Sequence, residues 1–185
     1  MQAELVDQAR RGDREAFSVL AGGAVDRLYA IARLILRDAE LAEDATQEAL
    51  VRAWRDLPTL RDVERFDAWL YRLIVRAAAD VGRHRRRWRA EIAILPDEPA
   101  ESDRASELAD RDQLERALRR VSDDQRAILV LTFYVGLSPT DAADALDIPV
   151  GTAKSRLHYA IAALRAAVEA DDRAPNGALQ EGRLA

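Results

Sequence analysis

The chain has 185 residues, 49% of them apolar and 33% charged, and it contains no cysteine, which excludes disulfides, thiolate metal sites and cysteine nucleophiles. No apolar run is long enough to span a membrane or to form a signal peptide, so we expect a cytoplasmic protein with no membrane insertion. The net charge of −5 hides an uneven distribution, because residues 91–115 hold nine acidic and two basic side chains while the blocks on either side are slightly basic, so DNA is not excluded as a partner.

The amino-terminal part begins with two predicted amphipathic helices. Apolar residues recur at helical spacing over Phe17–Ile35, and the pair Gly22–Gly23 is expected to interrupt or loosen this first helix. Asp38 is a candidate N-cap for the second helix, and Pro58 ends it. The exposed side of the second helix is rich in acids, which repel DNA. That side indicates either a protein partner or an ordinary solvated surface, and its polar residues are Glu43, Asp44, Gln47, Glu48, Arg52 and Arg55.

A third predicted helix has the clearest pattern, with apolar residues from 66 to 81 at the spacing i, i+3, i+4, i+7, i+8, i+11 and i+15. Its opposite side and its end carry a cationic track of the kind that follows the phosphates of single-stranded DNA, with aromatic rings nearby that can stack on bases. The alternative is a solvated helix end, and Phe66 and Trp69 fit the core better than a stacking role. The candidate DNA-binding residues of this helix are Tyr71, Arg72, Arg76, Asp80, Arg83, Arg86 and Arg87.

Residues 91–106 have a different composition from the rest. They contain two prolines and several acids with almost nothing to bury, which predicts a flexible acidic linker. The linker would separate a helical domain of residues 1–90 from a second helical domain of residues 107–170. The last residues, 171–185, form a polar tail that we expect to be frayed.

The second domain contains the pattern of a helix-turn-helix unit. Ser122 and Gln125 form a capping box at the start of a helix that stops at Gly136, and Ser138 with Pro139 starts the next helix. Only residues 146–149 separate that short helix from a longer one. In a helix-turn-helix unit, the second helix lies in the major groove of DNA.

The exposed side of the last helix carries hydroxyl groups and cations in its first turns. Such groups hold phosphates at a helix N-terminus, and arginine or lysine can pair with guanine edges. An ordinary polar helix face is the alternative. No second ligand stands at metal spacing from His158, so neither a metal site nor a cofactor is expected. The candidate contacts to duplex DNA are Thr152, Lys154, Ser155, Arg156, His158 and Tyr159.

Three motifs in this order resemble the extracytoplasmic-function (ECF) group of the sigma-70 family over most of residues 15–168. Residues 42–54, AEDATQEALVRAW, are similar to the family's core-binding motif. Residues 66–72, FDAWLYR, with the arginines that follow, are similar to the segment that captures and melts the −10 element. Residues 150–157, VGTAKSRL, together with Asp123, Gln125 and Arg126, are similar to the −35 binding domain.

The resemblance implies an all-α protein of two small helical domains joined by the acidic linker. It implies a non-enzymatic alternative sigma factor, which binds core RNA polymerase, directs it to promoters and assists melting, and which an anti-sigma protein often holds inactive. The third-helix candidates would bind the −10 element, and the six last-helix candidates the −35 element. The residues implied in gripping core polymerase are Asp44, Gln47, Glu48, Arg52 and Trp54.

Three departures from the family pattern are notable, and one of them is that the region after Leu57 lacks the family's frequent glycine. Arg76 stands where asparagine is common in the promoter-reading helix, and Asp147 replaces the usual glycine of the turn. The alternative to a sigma factor is a stand-alone dimeric helix-turn-helix regulator, although half-site binding needs neither the long linker nor the amino-terminal domain. An enzyme is disfavoured, because only two histidines are present and no phosphate-cradling glycine loop is found.

Overall fold

A computed structural model describes residues 1–91 and 116–173, including their side chains except those of 86, 88–91 and 171–173. Within these ranges the chain is helical, with short turns and no strand. Most of the predicted linker and the tail from residue 174 lie outside the described residues. The described helices form two lobes, which agrees with the predicted all-α class with two small helical domains.

The amino-terminal lobe contains four α-helices and two short 3-10 turns. Two aspartates begin its longer helices. Asp13 accepts hydrogen bonds from the backbone N–H groups of Glu15 and Ala16, and Asp38 accepts one from Leu41 at 3.1 Å, which confirms the predicted cap. The helices are α1 (Gln2–Arg10), α2 (Arg14–Leu36), α3 (Ala39–Asp56) and α4 (Phe66–Glu91), with the 3-10 turns Leu57–Thr59 and Val63–Arg65 between the last two.

The glycine pair in α2 does not interrupt the helix, so the predicted break at Gly22–Gly23 is wrong. Both glycines lie on the exposed side, and the helix continues through them. Leu20 and Leu28, one on either side of the pair, are buried in the core. Their tertiary packing outweighs the helix propensity that two glycines lose, about 1 kcal/mol each.

The core of the amino-terminal lobe is built on close approach of α3 to its neighbours. α3 presents a line of alanines at positions 42, 45, 49 and 53, all fully buried, against α2 and α4. Larger side chains, Leu28, Ile31, Leu70 and Ile74, fill the space around this line and are also fully buried. The small residues let the helix axes lie close together, so the polar side of α3 faces outward.

The carboxy-terminal lobe follows the predicted pattern and adds an irregular turn. Ser122 and Gln125 form the capping box. Ser138 caps the helix Pro139–Leu146, which has Pro139 in its first turn. The helix that was expected to run to residue 135 ends as a π-helical turn, Val130–Tyr134, before Gly136 at φ 82°. Residues 116–119 are helical, and the later helices are α5 (Asp123–Leu129), α6 (Pro139–Leu146) and α7 (Val150–Arg173).

Arg126 holds the start of this lobe together. Its side chain is only 8% exposed, donates to the carbonyl of Leu118 at 3.3 Å and pairs with Asp123. A buried guanidinium needs such partners, because an unpaired charge in the interior is strongly unfavourable. Arg126 is therefore a structural residue of the lobe.

The two lobes pack against each other. α4 of the amino-terminal lobe contacts α6 of the carboxy-terminal lobe, and α2 contacts α5. The buried apolar residues of both lobes form one continuous cluster. The surfaces that face each other across this junction bear directly on the candidate sites.

Candidate nucleic-acid and protein interfaces

The first turns of α7 present an exposed polar face. The tight turn before α7 is made by Asp147, which adopts the left-handed conformation at φ 57° that aspartate tolerates better than most residues. Ser155 donates its hydroxyl to the carbonyl of Thr152 at 3.0 Å, and the rings of His158 and Tyr159 meet edge to face at 5.7 Å. The face offers hydroxyls, a cation and two rings to solvent, and its exposed members are Thr152, Lys154, Ser155, His158 and Tyr159.

Arg156 differs from the other predicted members of this face. Its side chain is 25% exposed, and its guanidinium lies 3.6 Å from the carboxylate of Asp124 on α5. The geometry is too long for a strong hydrogen bond, so the pair is a loose tether between two helices of the same lobe. Arg156 must leave Asp124 before it can reach a base or a phosphate.

The arginines of the predicted cationic track on α4 differ in their exposure. Arg76, Arg83 and Arg87 are exposed, and Arg72 is half-buried at the junction with α6. No acceptor among the described residues lies within hydrogen-bond distance of the buried Nε of Arg72. Arg86 lies on the same helix, but its side chain is outside the described residues.

Four residues of the predicted sites form one ion-pair network between α3 and α4. Arg52 donates to Glu48 at 2.7 Å and to Asp80 at 2.9 Å, and Asp80 also pairs with Arg83. The hydrogen bond to Glu48, followed by the bond to Asp80, raises the pKa of Arg52 despite partial desolvation. Arg52 and Asp80 thus contact each other in this structure, so their direct role is to fix one helix against the other.

Tyr71 does not belong to the exposed track. Its ring is 8% exposed and lies under the guanidinium of Arg27, 5.2 Å from the ring centroid. Burial raises the pKa of the phenol above its ordinary value of 10.0. The prediction that Tyr71 faces DNA is corrected, because its side chain, like that of its neighbour Leu70, is buried in the core and is covered by Arg27 of α2.

The exposed side of α3 carries a stripe of mixed character. Asp44, Gln47, Val51 and Trp54 succeed one another at spacings of three, four and three residues, so they share one face. Val51 is 54% exposed and Trp54 37%, and the ring of Trp54 contacts that of Phe17 on α2 at 5.0 Å. Sequence reasoning missed Val51, although its position in this stripe could have indicated it. Exposed apolar residues beside acids are typical of protein contact surfaces.

Family comparisons match both lobes. Sigma-70 region 2 matches residues 24–90, and sigma-70 region 4 matches residues 111–164. The chain is 32% identical to the RNA polymerase sigma-H factor of Pseudomonas aeruginosa, over 90% of this chain and 93% of that protein. It is 36% identical to the ECF RNA polymerase sigma factor SigM of Mycobacterium tuberculosis, over 88% and 82% respectively. The chain belongs to the ECF group of the sigma-70 family.

Two solved structures have a similar fold. CnrH, in complex with the cytosolic domain of CnrY, matches with a TM-score of 0.65 and 29% identity over 92% of this chain and 98% of that chain. The sigma factor RpoE of Bartonella quintana, in complex with the anti-sigma factor NepR, matches with a TM-score of 0.69 and 25% identity over 84% and 98%.

These findings confirm the resemblance and the function of an alternative sigma factor, and they do not favour the dimeric regulator. Members of this family are transcription initiation factors and not enzymes. No helix in the described part of this sigma factor is both long and apolar enough to cross a membrane. Among the same residues, no cluster of three or more histidines or acids could hold a metal ion.

Proposed function

We propose that this ECF sigma factor binds core RNA polymerase through the α3 stripe and places the first turns of α7 on the −35 element of its promoters. The observation that carries the proposal is the presence of two surfaces of opposite character on separate lobes. α3 offers acids with exposed apolar side chains, whereas α7 offers hydroxyls and cations at a helix N-terminus. The first suits a protein partner and the second suits DNA.

At the −35 element, the side chains of α7 divide into two groups by reach. Thr152 and Ser155 stand near the helix start, where hydroxyls and backbone N–H groups hold phosphates. Lys154 and Arg156 have the length to reach base edges, and Arg156 does so after leaving Asp124. His158 and Tyr159, one turn further along, complete the contact surface.

At the −10 element, the exposed arginines of α4 follow the phosphates of the melted strand. Arg76, Arg83 and Arg87 are spaced by seven and four residues, which aligns them along one side of the helix. Arg86 belongs to the proposed set by its place in the sequence. Arg72 joins it when α6 moves away, and Tyr71 is left out because it is buried.

At the core polymerase, Asp44 and Gln47 supply polar contacts, and Trp54 with Val51 supplies apolar area. Glu48 and Arg52 do not contact the polymerase themselves. Arg52 bonds both Glu48 and Asp80, and it thereby connects this surface to the promoter-binding helix α4. We assign these two as positioning residues. The network holds the polymerase-binding helix and the promoter-binding helix in fixed register.

We also propose regulation by an anti-sigma protein and a cytoplasmic location for this factor. The two solved structures with similar folds each contain a partner protein, and the partner of RpoE is an anti-sigma factor. A cleft of about 370 Å³ between the lobes, lined by Tyr29, Leu34, Leu118 and Tyr134 together with two arginines, offers mixed apolar and cationic contacts.

Reconstitution with core polymerase tests the function. The purified chain is mixed with a bacterial core RNA polymerase and a library of promoter sequences, and the transcript start sites are sequenced. We expect initiation at a set of sites that share −35 and −10 elements, and none with core enzyme alone. Absence of specific initiation with core enzyme that another sigma factor can activate would contradict the proposal.

A further inference from the structure

An acidic face of α6 lies against the arginine-bearing face of α4. α6 and the turn after it carry Asp141, Asp144 and Asp147 at intervals of three residues, so the three carboxylates follow one side of the helix. The carboxylate of Asp147 meets the guanidinium of Arg76 at 3.0 Å. The two residues come from different lobes, and each of them departs from the family pattern.

Beside these helices lies a cleft of about 490 Å³ that is lined by residues of both lobes. On the wall of the amino-terminal lobe, Arg61, Arg65 and Arg72 stand with Asp62 and Glu64, so cations outnumber acids by one there. Asp141 and Asp144 line the opposite wall. In this arrangement carboxylates face the cations that would otherwise face phosphates.

We propose that α6 is an intramolecular lid over the promoter-reading face of α4, and that Arg76 and Asp147 form its latch. The aspartates take the place of DNA phosphates while the factor is free, so Arg72 and Arg76 reach a promoter only when the lobes separate. This inference rests on the proposed function in one respect, the DNA-binding role of α4. The contact between the lobes does not depend on it.

The latch is weak enough to open. Its side chains are 45% and 79% exposed, and exposed ion pairs change an equilibrium by about 1.5- to 5-fold. Salt weakens such a pair further, since charges are screened over about 8 Å at physiological ionic strength. The lid therefore biases the free factor toward the closed arrangement without locking it.

Pulsed electron paramagnetic resonance on the full chain tests the lid. The chain has no cysteine, so Gln8→Cys and Ala166→Cys place spin labels on exposed positions of α1 and α7, one in each lobe. Within this labelled background the test variant is Asp144→Asn with Asp147→Asn. Asparagine keeps the size of the side chain and tolerates the left-handed conformation at position 147. The matched control is Asp26→Asn, an exposed aspartate on α2.

We expect a short distance between the lobes to dominate in the labelled chain without charge substitutions and in the control. In the test variant, the ratio of short to long distances should fall by about two- to fivefold. The lid proposal would be overturned if the test variant and the control gave the same distances. It would also be overturned if the labelled chain without charge substitutions showed no short distance. Circular dichroism melting of each variant shows whether the fold is intact.

Transcription with core polymerase separates this inference from the proposed function. If the wild-type chain initiates transcription, the lid is judged by the distances alone. If it does not initiate, the sigma role fails, yet the same distances still show whether α6 covers α4. A single-stranded oligonucleotide carrying a −10 element should also bind the free test variant severalfold more tightly than the free control, and equal affinity would overturn the competition between the carboxylates and DNA.

Discussion

Arg156, which we propose contacts the −35 element, already has a carboxylate partner in the free factor. It stands among exposed polar residues on α7, but Asp124 holds it loosely at 3.6 Å. Replacing Arg156 with alanine should weaken binding to −35 duplexes by on the order of 1–3 kcal/mol if it pairs with a base. Fluorescence anisotropy on duplexes with single base changes measures this.

Arg165→Ala is the control for that substitution, since Arg165 is an exposed arginine further along the same helix. A loss confined to one promoter position identifies a base contact of Arg156. An equal loss on every sequence identifies a phosphate contact. Unchanged affinity on all duplexes would remove Arg156 from the DNA surface.

Tyr71 is left out of the proposed −10 surface because it is buried. Tyr71→Phe should leave binding of a −10 single strand unchanged, because the ring stays under Arg27, whereas Tyr71→Ala should cost about 3 kcal/mol of stability. Urea unfolding and oligonucleotide titration separate the two effects. A Phe variant of normal stability that binds the oligonucleotide poorly would return Tyr71 to the DNA surface.

The pH dependence of stability gives a second measurement on the same variant. Burial raises the pKa of the Tyr71 phenol, so the folded state favours the neutral form. Its contribution is complete below the ordinary value of 10.0 and is lost as the pH rises through the raised value. Wild-type stability should therefore fall more steeply than that of Tyr71→Phe above that ordinary value, as urea unfolding at a series of pH values will show.

At the scale of elements, α2 shows where local sequence rules fail. The glycine pair predicted a break, but the helix is held on both sides by buried leucines. No atom lies within 4 Å of a Cβ added at Gly22 or Gly23. Replacing either glycine with alanine should raise the free energy of unfolding by about 1 kcal/mol, measured in urea. A loss of stability would indicate that the glycines serve a conformation other than this continuous helix.

The elements with local signals were predicted well. The caps at Asp38, Ser122 and Ser138 each bond a backbone N–H group three residues away. The apolar period of α4 likewise indicates its buried face, so one segment of sequence contains the information. α1 was not predicted, since its short pattern buries only Val6 and Ala9. The π-helical turn was also missed, because its i→i+5 bonding depends on tertiary packing.

Pairings between elements could not be predicted from the sequence. Arg52 and Asp80 are 28 residues apart, and Arg76 and Asp147 belong to different lobes. Whether such residues meet depends on how two helices rotate and cross, which an amphipathic pattern defines only to within a turn. For this reason candidate residues of the DNA and polymerase surfaces were found in the sequence, whereas their partners within the protein were not.

At the scale of the molecule, one arginine on each lobe that we propose contacts DNA has a carboxylate partner within the protein. Arg156 meets Asp124 within one lobe, and Arg76 meets Asp147 across the junction. A cationic surface binds DNA of any sequence, and carboxylates near the cations reduce that background. The net charge of −5 acts in the same direction. If the proposed lid operates, specific binding depends on a partner that separates the lobes and brings both surfaces to one promoter.

The α3 stripe is the surface through which we expect core polymerase to do this. Replacing Asp44 and Gln47 together with alanine should reduce affinity for core polymerase at least about 30-fold, the effect of losing a central contact worth 2 kcal/mol or more. Binding of the full chain to a −35 duplex should not change, because that surface lies on the other lobe. Gln8→Ala with Asp26→Ala removes the same side-chain types from exposed positions on α1 and α2 and serves as the control. Size-exclusion chromatography with core enzyme and anisotropy with duplex DNA read the two activities separately, and normal holoenzyme formation by the test variant would refute the assignment of α3.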